Sequence, residues 1–172
     1  MTTAEPIRTP RLTLEPLAVE HAAQMARALA DPALHVFTGG SPATAEELRG
    51  RYARMVAGPP PGGDDAWLNW VIRLDGQEGL VGYVQATLAA GRASVAWVVG
   101  TPWQGRGIAG EAALALLAWL QERGVNTVVA TIHPDHAASS AVARRIGLVP
   151  TGDRMDGEVV WRSEQGRPAP ES

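Results

Sequence analysis

Alternating hydrophobic and polar positions predict the strands of this chain. Residues 11–15 alternate as in a half-buried strand. Residues 67–74, 80–88 and 93–99 are rich in branched and aromatic side chains and are separated by Asp75-Gly76 and Gly91. We expect these three segments to form an antiparallel meander.

Helical periodicity marks four further segments. Residues 18–30 repeat hydrophobic side chains at helical spacing and stop at Asp31-Pro32. Thr44 and Glu47 have the spacing of a capping box and open the second helix. The strongest apolar face belongs to residues 108–123. A short helix after the His133-Pro134-Asp135 turn ends before Gly147.

Residues 127–132 predict another strand, and Asp156-Gly157 predicts the turn of a final hairpin. The order of elements is a strand, two helices, three meandering strands and then strand–helix units. This order indicates an α+β fold with one mixed, mostly antiparallel sheet flanked by helices. We expect one domain over residues 1–163 and a flexible tail over residues 164–172.

Composition narrows the function classes. The 172 residues, 45% of them hydrophobic, are enough for one sizeable core. A net charge of −3 gives no general attraction for nucleic acid, so none is expected as a partner. No apolar run approaches the ~20 residues that span a bilayer, so no membrane partner is expected either.

Cysteine is absent from the sequence. Disulfides, thiolate zinc sites and a cysteine nucleophile are therefore excluded, and no metal site is predicted. The same absence fits a reducing compartment, and we expect a cytoplasmic protein.

The glycine-rich stretch from Gly105 to Gly110 follows a predicted strand and opens a helix, so it satisfies the G-x-G-x-x-G pattern. A dinucleotide-binding fold places that pattern in its first β-α-β unit, with an acidic residue about 20 positions later. Residues 128–132 carry no acid. Backbone N–H groups and the helix dipole would nevertheless suit a diphosphate, and Arg106 adds a positive charge. We expect Glu111 to point away. The alternative is a tight turn with no ligand.

Three blocks carry a resemblance to a known family. The string Trp103-Gln-Gly-Arg-Gly-Ile-Ala-Gly-Glu-Ala112 contains Gln104-x-x-Gly107-x-Ala109, and His136-Ala-Ala-Ser139 is followed by Arg145-Ile-Gly-Leu148. Together with residues 7–17, these blocks resemble the GCN5-related N-acetyltransferase (GNAT) superfamily, in particular its RimJ/RimL-like branch. The likeness covers nearly the whole chain.

The resemblance implies acetyl-CoA as the acyl donor. The strand segment Trp97, Val98 and Val99 would splay from its neighbour, bind the pantetheine arm and offer an oxyanion donor. The pyrophosphate would lie against Gln104, Gly105, Arg106, Gly107, Ile108, Ala109 and Gly110. The acetyl group would pass directly to an amine, because no cysteine is available for a covalent intermediate.

The chain departs from the family pattern at three positions. His136 replaces the usual Asn, Ala143 the tyrosine that protonates the leaving thiolate, and Ser94 a strand glutamate. Ser139 and His136 are the candidate catalytic residues, Ser139 as a hydrogen-bond donor to the departing sulfur. The alternative for both residues is capping of the helix.

The general base has four candidates, Glu158, Asp156, Glu15 and His35, and a chain of water molecules is the alternative. The side chains of Trp67, Trp70 and Trp97 either line an acceptor pocket or pack in the core, and core packing is the stronger expectation.

The sequence thus predicts an N-acetyltransferase acting on a primary amine of a small molecule or a protein N-terminus. One alternative is a CoA-binding sensor or partner module that lost catalysis, because the usual Tyr and Glu are missing. A dinucleotide-dependent oxidoreductase is a more distant one. Homodimers are common in the branch that the chain resembles.

Overall fold

The computed structural model describes residues 2–163, so the tail predicted over residues 164–172 lies outside it. The strands are β1 (Ile7–Arg8), β2 (Leu12–Pro16), β3 (Ala66–Leu74), β4 (Gly82–Ala89), β5 (Arg92–Val99), β6 (Thr127–Ile132), β7 (Leu148–Met155) and β8 (Glu158–Ser163). The α-helices are α1 (Ala22–Ala28), α2 (Ala45–Ala57), α3 (Ile108–Glu122) and α4 (Ala137–Arg145). Short 3₁₀ turns cover Val19–His21, Pro32–His35 and Thr101–Trp103.

All of these strands join one eight-stranded sheet in the order β1-β2-β3-β4-β5-β6-β8-β7. Each neighbouring pair is antiparallel except β5 and β6, which run parallel. The predicted α+β class and the β3-β4-β5 meander are confirmed. Parallel strands need a crossover, and α3 supplies it.

Local sequence signals set several boundaries as predicted. Thr44 Oγ1 accepts from Glu47 N at 3.1 Å while Glu47 Oε1 accepts from Thr44 N at 3.0 Å, which confirms the capping box. Asp156 and Gly157 both adopt positive φ, 51° and 83°, as a two-residue hairpin turn requires. The first helix is shorter than predicted, since its opening residues, Val19–His21, form a 3₁₀ turn.

The sheet carries a hydrophobic core on each face. On one face α3 packs against the strands, and the rings of Trp70 and Trp119 meet edge to face at 5.2 Å. On the other face α1 and α2 cover Val71 and Leu80. None of the helices in residues 2–163 combines the length and hydrophobicity that crossing a bilayer requires.

Glu111, in the first turn of α3, is bound to the loop between β1 and β2. Its carboxylate accepts hydrogen bonds from Thr9 Oγ1 at 2.5 Å, Arg11 N at 3.1 Å and Arg11 Nε at 2.7 Å. The expectation that Glu111 points aside is therefore confirmed. Burial alone would raise the pKa of Glu111, but these hydrogen bonds outweigh it and hold the pKa below its ordinary value.

We predict that Glu111→Gln lowers the free energy of unfolding by about 1–2 kcal/mol at neutral pH, because the charge-assisted hydrogen bonds weaken. A depressed carboxyl pKa contributes stability above the ordinary value of 4.5 and loses it as pH falls through the folded-state pKa. Urea unfolding of both proteins from pH 3 to 7 measures the difference. Glu122→Gln, an exposed change on the same helix, is the control; a difference that persists undiminished at the acidic end contradicts the assignment.

Candidate active site

β5 and β6 separate after a short paired stretch. Their parallel ladder covers only Arg92–Thr127, Ala93–Val128 and Ser94–Val129. Beyond Ser94, β5 continues to Val99 with no strand partner on its β6 side. The predicted splaying of this strand is confirmed, and it leaves backbone hydrogen-bonding groups on a free edge inside the protein.

Tight contacts fix the end of β5 beside the gap. A methyl group on Gly82 would overlap the Val98 carbonyl oxygen, so β4 approaches β5 closely only because residue 82 is glycine. The side chain of Gln104 donates from Nε2 to the Val99 carbonyl at 3.0 Å. Gln104 therefore joins the end of the strand to the glycine turn that follows.

The glycine turn presents unpaired N–H groups at the start of α3. Gly105 and Gly107 adopt positive φ, 78° and 76°, and Gly107 is the N-cap with no side-chain cap. The first backbone bond into the helix runs from Glu111 N to Gly107 O at 3.0 Å. Within the described part of the chain, the N–H groups of residues 105–110 have no hydrogen-bond acceptor, which is the arrangement that binds anions at helix N-termini.

Two guanidinium groups flank this turn. Arg145 Nη1 donates to Gly107 O at 3.2 Å, and a methyl group on Gly110 would overlap the Arg145 side chain. A methyl group on Gly107 would lie 3.6 Å from Arg11 Nη2. Neither arginine was assigned a role from the sequence, although Arg145 lies in the block that resembles the family.

α4 places the two candidate catalytic residues at its N-terminus. His136 is the N-cap, and its Nδ1 accepts from Ser139 N at 3.3 Å, which confirms the capping alternative for His136. Burial and nearby His133 lower the pKa of His136, against the opposing charge of Glu158. The half-buried Ser139 hydroxyl has no hydrogen-bond partner among the described residues. Ala143, where relatives carry tyrosine, is fully buried.

Phe37 connects this helix to the other side of the molecule. Its ring stacks on His136 at 4.5 Å between centroids and is tilted on His133 at 5.0 Å. Phe37 follows the 3₁₀ turn Pro32–His35, which lines a cavity on the α1–α2 face of the sheet. The N-terminus of α4 therefore contacts the segment that also carries the cavity-lining His35.

The cavity has a volume of about 500 Å³ and lies between the α1–α2 region and strands β3 and β4. Trp67, 40% exposed, lines it. Trp70 also borders it, but its fully buried ring packs against Trp119 on the α3 side of the sheet, where Nε1 donates to Glu5 O at 2.7 Å. Trp97 packs against the same core as Trp70, so core packing is confirmed for these two side chains. The buried Nε1 of Trp97 has no partner within residues 2–163.

Of the four candidates for the general base, one lines the cavity and the other three lie elsewhere. His35 lines the cavity, and its Nδ1 lies 3.2 Å from the Gly39 carbonyl, to which it donates; in the neutral imidazole this leaves the lone pair on Nε2. Glu15 is bound to Arg73 at 2.5 Å. Glu158 and Asp156 belong to the β7–β8 hairpin, and neither lines the cavity.

Three solved structures with a similar fold illustrate what this chain resembles, and each is described as an acetyltransferase or by the name of one. A GNAT-family acetyltransferase from Bacillus anthracis is 19% identical, with a TM-score of 0.75 over 92% of this chain and 97% of the other. RimL, a ribosomal L7/L12 alpha-N-protein acetyltransferase solved with coenzyme A, is 20% identical, with a TM-score of 0.76 over 92% and 97%. RimJ from Mycobacterium smegmatis, solved with a CoA disulfide, is 22% identical, with a TM-score of 0.72 over 92% and 85%.

No curated protein matches the chain in sequence. The family model described as an acetyltransferase (GNAT) domain matches residues 11–149, which is most of the chain. The fold and the resemblance of the three sequence blocks agree with that match. The chain therefore belongs to the GNAT acetyltransferase family.

Proposed function

We propose that this protein transfers the acetyl group of acetyl-CoA to a primary amine of a small molecule or a protein N-terminus. The observation that carries the proposal is the free edge of β5 leading to the unpaired N–H groups of residues 105–110. Membership of the acetyltransferase family and the CoA found in the RimL and RimJ structures support the same donor.

The described residues suit CoA along its length. The backbone of Trp97, Val98 and Val99 offers hydrogen bonds to the amide groups of the pantetheine arm, as an added strand would. The turn from Gln104 through Gly105, Arg106, Gly107, Ile108, Ala109 and Gly110 offers N–H groups and the helix dipole to the pyrophosphate. Arg11 and Arg145 would balance its negative charge, because both guanidinium groups lie beside Gly107.

The transfer proceeds by direct attack. The amine nitrogen forms a bond to the thioester carbonyl carbon, and the resulting oxyanion is stabilised by a backbone N–H in the segment 97–99. A preorganised donor of this kind is often worth about 3 kcal/mol in the transition state. Collapse of the intermediate breaks the C–S bond and releases CoA. The sequence has no cysteine, so no cysteinyl intermediate forms.

Two side chains would assist the transfer, His35 as the general base and Ser139 as a hydrogen-bond donor to the leaving group. His35 takes the proton that the amine loses, because its Nε2 lone pair is free and its ring lines the cavity. Ser139 donates to the departing sulfur, directly or through water, because its hydroxyl is unpaired in the described structure. His136 holds the Ser139 N–H and positions that turn of α4.

A CoA-binding sensor is the second candidate, and one observation favours it. Ala143 and Ser94 stand where relatives carry the catalytic Tyr and Glu, and Ala143 is buried where it cannot reach a ligand. A sensor binds CoA and turns over no amine.

We further propose that residues 1–163 form one domain, that the protein acts in the cytoplasm and that it forms a homodimer.

We predict that acetyl-CoA raises the melting temperature of the wild type and that Gly107→Trp abolishes this effect. At 100 times Kd a ligand contributes about 2.7 kcal/mol. The indole would fill the space beside Arg145 and block the turn. Gly76→Trp is the matched control, because Gly76 has a similar positive φ in a distant turn. Stabilisation by NAD and not by acetyl-CoA would overturn the proposal.

We predict that His35→Gln lowers kcat/KM at neutral pH by about 10²-fold or more, because the amine loses its base. The shift in melting temperature with acetyl-CoA should stay unchanged. An unaltered kcat/KM would show that water or another group takes the proton.

We predict that Ser139→Ala lowers kcat with acetyl-CoA by about tenfold or more, because the leaving thiolate loses its hydrogen-bond donor. Ser140→Ala, the next residue on the same helix, is the control. An acetyl thioester of an acidic aryl thiol should restore the rate, since that thiolate leaves without a proton. Equal loss with both thioesters would indicate a structural role for Ser139.

A further inference from the structure

The charge of the cavity indicates which amines it accepts. Among the described residues that line it, none is Asp or Glu, and Arg51 is the one with a permanent charge. The remaining titratable side chains at its wall are His35, Tyr52 and Tyr83. The cavity therefore has a positive and no negative side chain.

Arg51 forms no close ion pair with a carboxylate in the described structure, although its charge contributes to lowering the pKa of Glu47. Glu47 lies one turn earlier on α2, but its Oε1 accepts from Thr44 N at 3.0 Å, and the side chain lies outside the cavity wall. No ion pair joins Arg51 to any carboxylate of residues 2–163. Its charge is thus available to a ligand.

Two phenols lie within the field of Arg51. Burial raises the pKa of Tyr52 to about 12, and nearby Tyr83 adds to the rise while Arg51 opposes it. Burial also raises the pKa of Tyr83, again opposed by Arg51. Both hydroxyls stay protonated at neutral pH and can donate hydrogen bonds. Neither has a hydrogen-bond partner among the described residues.

The rest of the wall is mainly apolar. Leu48, Met55 and Trp67 provide hydrophobic surface. Asn69 and Gln85 provide amide groups whose side chains have no hydrogen-bond partner in the described part of the chain. The volume of about 500 Å³ falls within the range of small-molecule sites, about 300–1,000 Å³.

We propose that the acceptor is a small amine with an apolar or aromatic body and one carboxylate, which Arg51 binds with the help of Tyr52 and Tyr83. This inference rests on the proposed function. An acceptor that carries a carboxylate loses the hydration of that group on binding but gains a charge-assisted hydrogen bond to Arg51. An acceptor that carries a second ammonium group would lose its hydration without gaining a carboxylate partner, because none of the described residues of the cavity wall is acidic. Polyamines and polycationic amines are therefore poor substrates.

The experiment uses matched amines of one skeleton: tryptophan, tryptophan amide and tryptamine, with spermidine and a tripeptide amide that has no charged side chain beside them. Thiol release with saturating acetyl-CoA gives kcat/KM for each. We expect tryptophan to exceed its amide and tryptamine by at least about tenfold, the discrimination that one charge-assisted hydrogen bond provides. Spermidine and the tripeptide should be poorer still.

Arg51→Gln should lower kcat/KM for tryptophan by at least about tenfold and so remove the preference over tryptamine. Arg54→Gln, an exposed change on the same helix outside the cavity wall, should keep the wild-type preference. Equal rates with tryptophan and tryptamine, a preference for spermidine or the tripeptide, or a preference that survives Arg51→Gln would each overturn the proposal.

Calorimetric titration of the protein with indole-3-propionate and with tryptamine, without acetyl-CoA, separates this inference from the proposed function. Tighter binding of the carboxylate that Arg51→Gln weakens supports the acceptor class even if acetyl-CoA fails to bind. If acetyl-CoA binds but indole-3-propionate binds no more tightly than tryptamine, the proposed class of acceptor is wrong and the acetyltransferase proposal is unaffected.

Discussion

β5 and β6 hydrogen-bond over three residue pairs, and the candidate site is arranged around the gap that follows them. A strand edge inside a protein normally finds a partner, since unpaired N–H and C=O groups are costly to bury. Here the edge from Val95 to Val99 has none on the β6 side. Gly82 and Gln104 hold the strand end in place from the other side. The gap is thus a fixed feature that an extended ligand can complete.

The electrostatic potential at the glycine turn depends on the position of the Glu111 carboxylate. An acidic residue in the first turn of α3 suits the helix dipole but would repel a phosphate beside it. The Glu111 carboxylate accepts three hydrogen bonds from Thr9 and Arg11, so it lies against the β1–β2 loop. The same contact holds Arg11 near Gly107, and Arg145 also lies beside that glycine. One ion pair therefore stabilises the fold and keeps the charge of Glu111 from repelling a phosphate at the turn.

Local patterns were sufficient for most elements. Thr44 and Glu47 define a helix start by their own hydrogen bonds, and Asp156-Gly157 defines a hairpin by its backbone preference. The turn at residues 104–110 was recognised from spacing, because glycines that admit a ligand leave a readable pattern. Arg145 and Arg51 gave no such pattern. Each is an ordinary polar residue in the sequence, and only its neighbours in space make it a candidate. His35 was one of four base candidates, and only the structure placed it at the cavity and the other three away from it.

The sequence alone determined the α+β class, the order of elements, the family and the glycine turn, because these follow from periodicity, turn chemistry and contiguous motifs. Tertiary structure decided the rest: the insertion of β8 between β6 and β7, the capping role of His136, the separation of Trp67 from Trp70 and Trp97, and the single arginine among the described residues of the cavity wall. These features join residues distant in sequence. Long-range packing creates such contacts, and no local pattern encodes them.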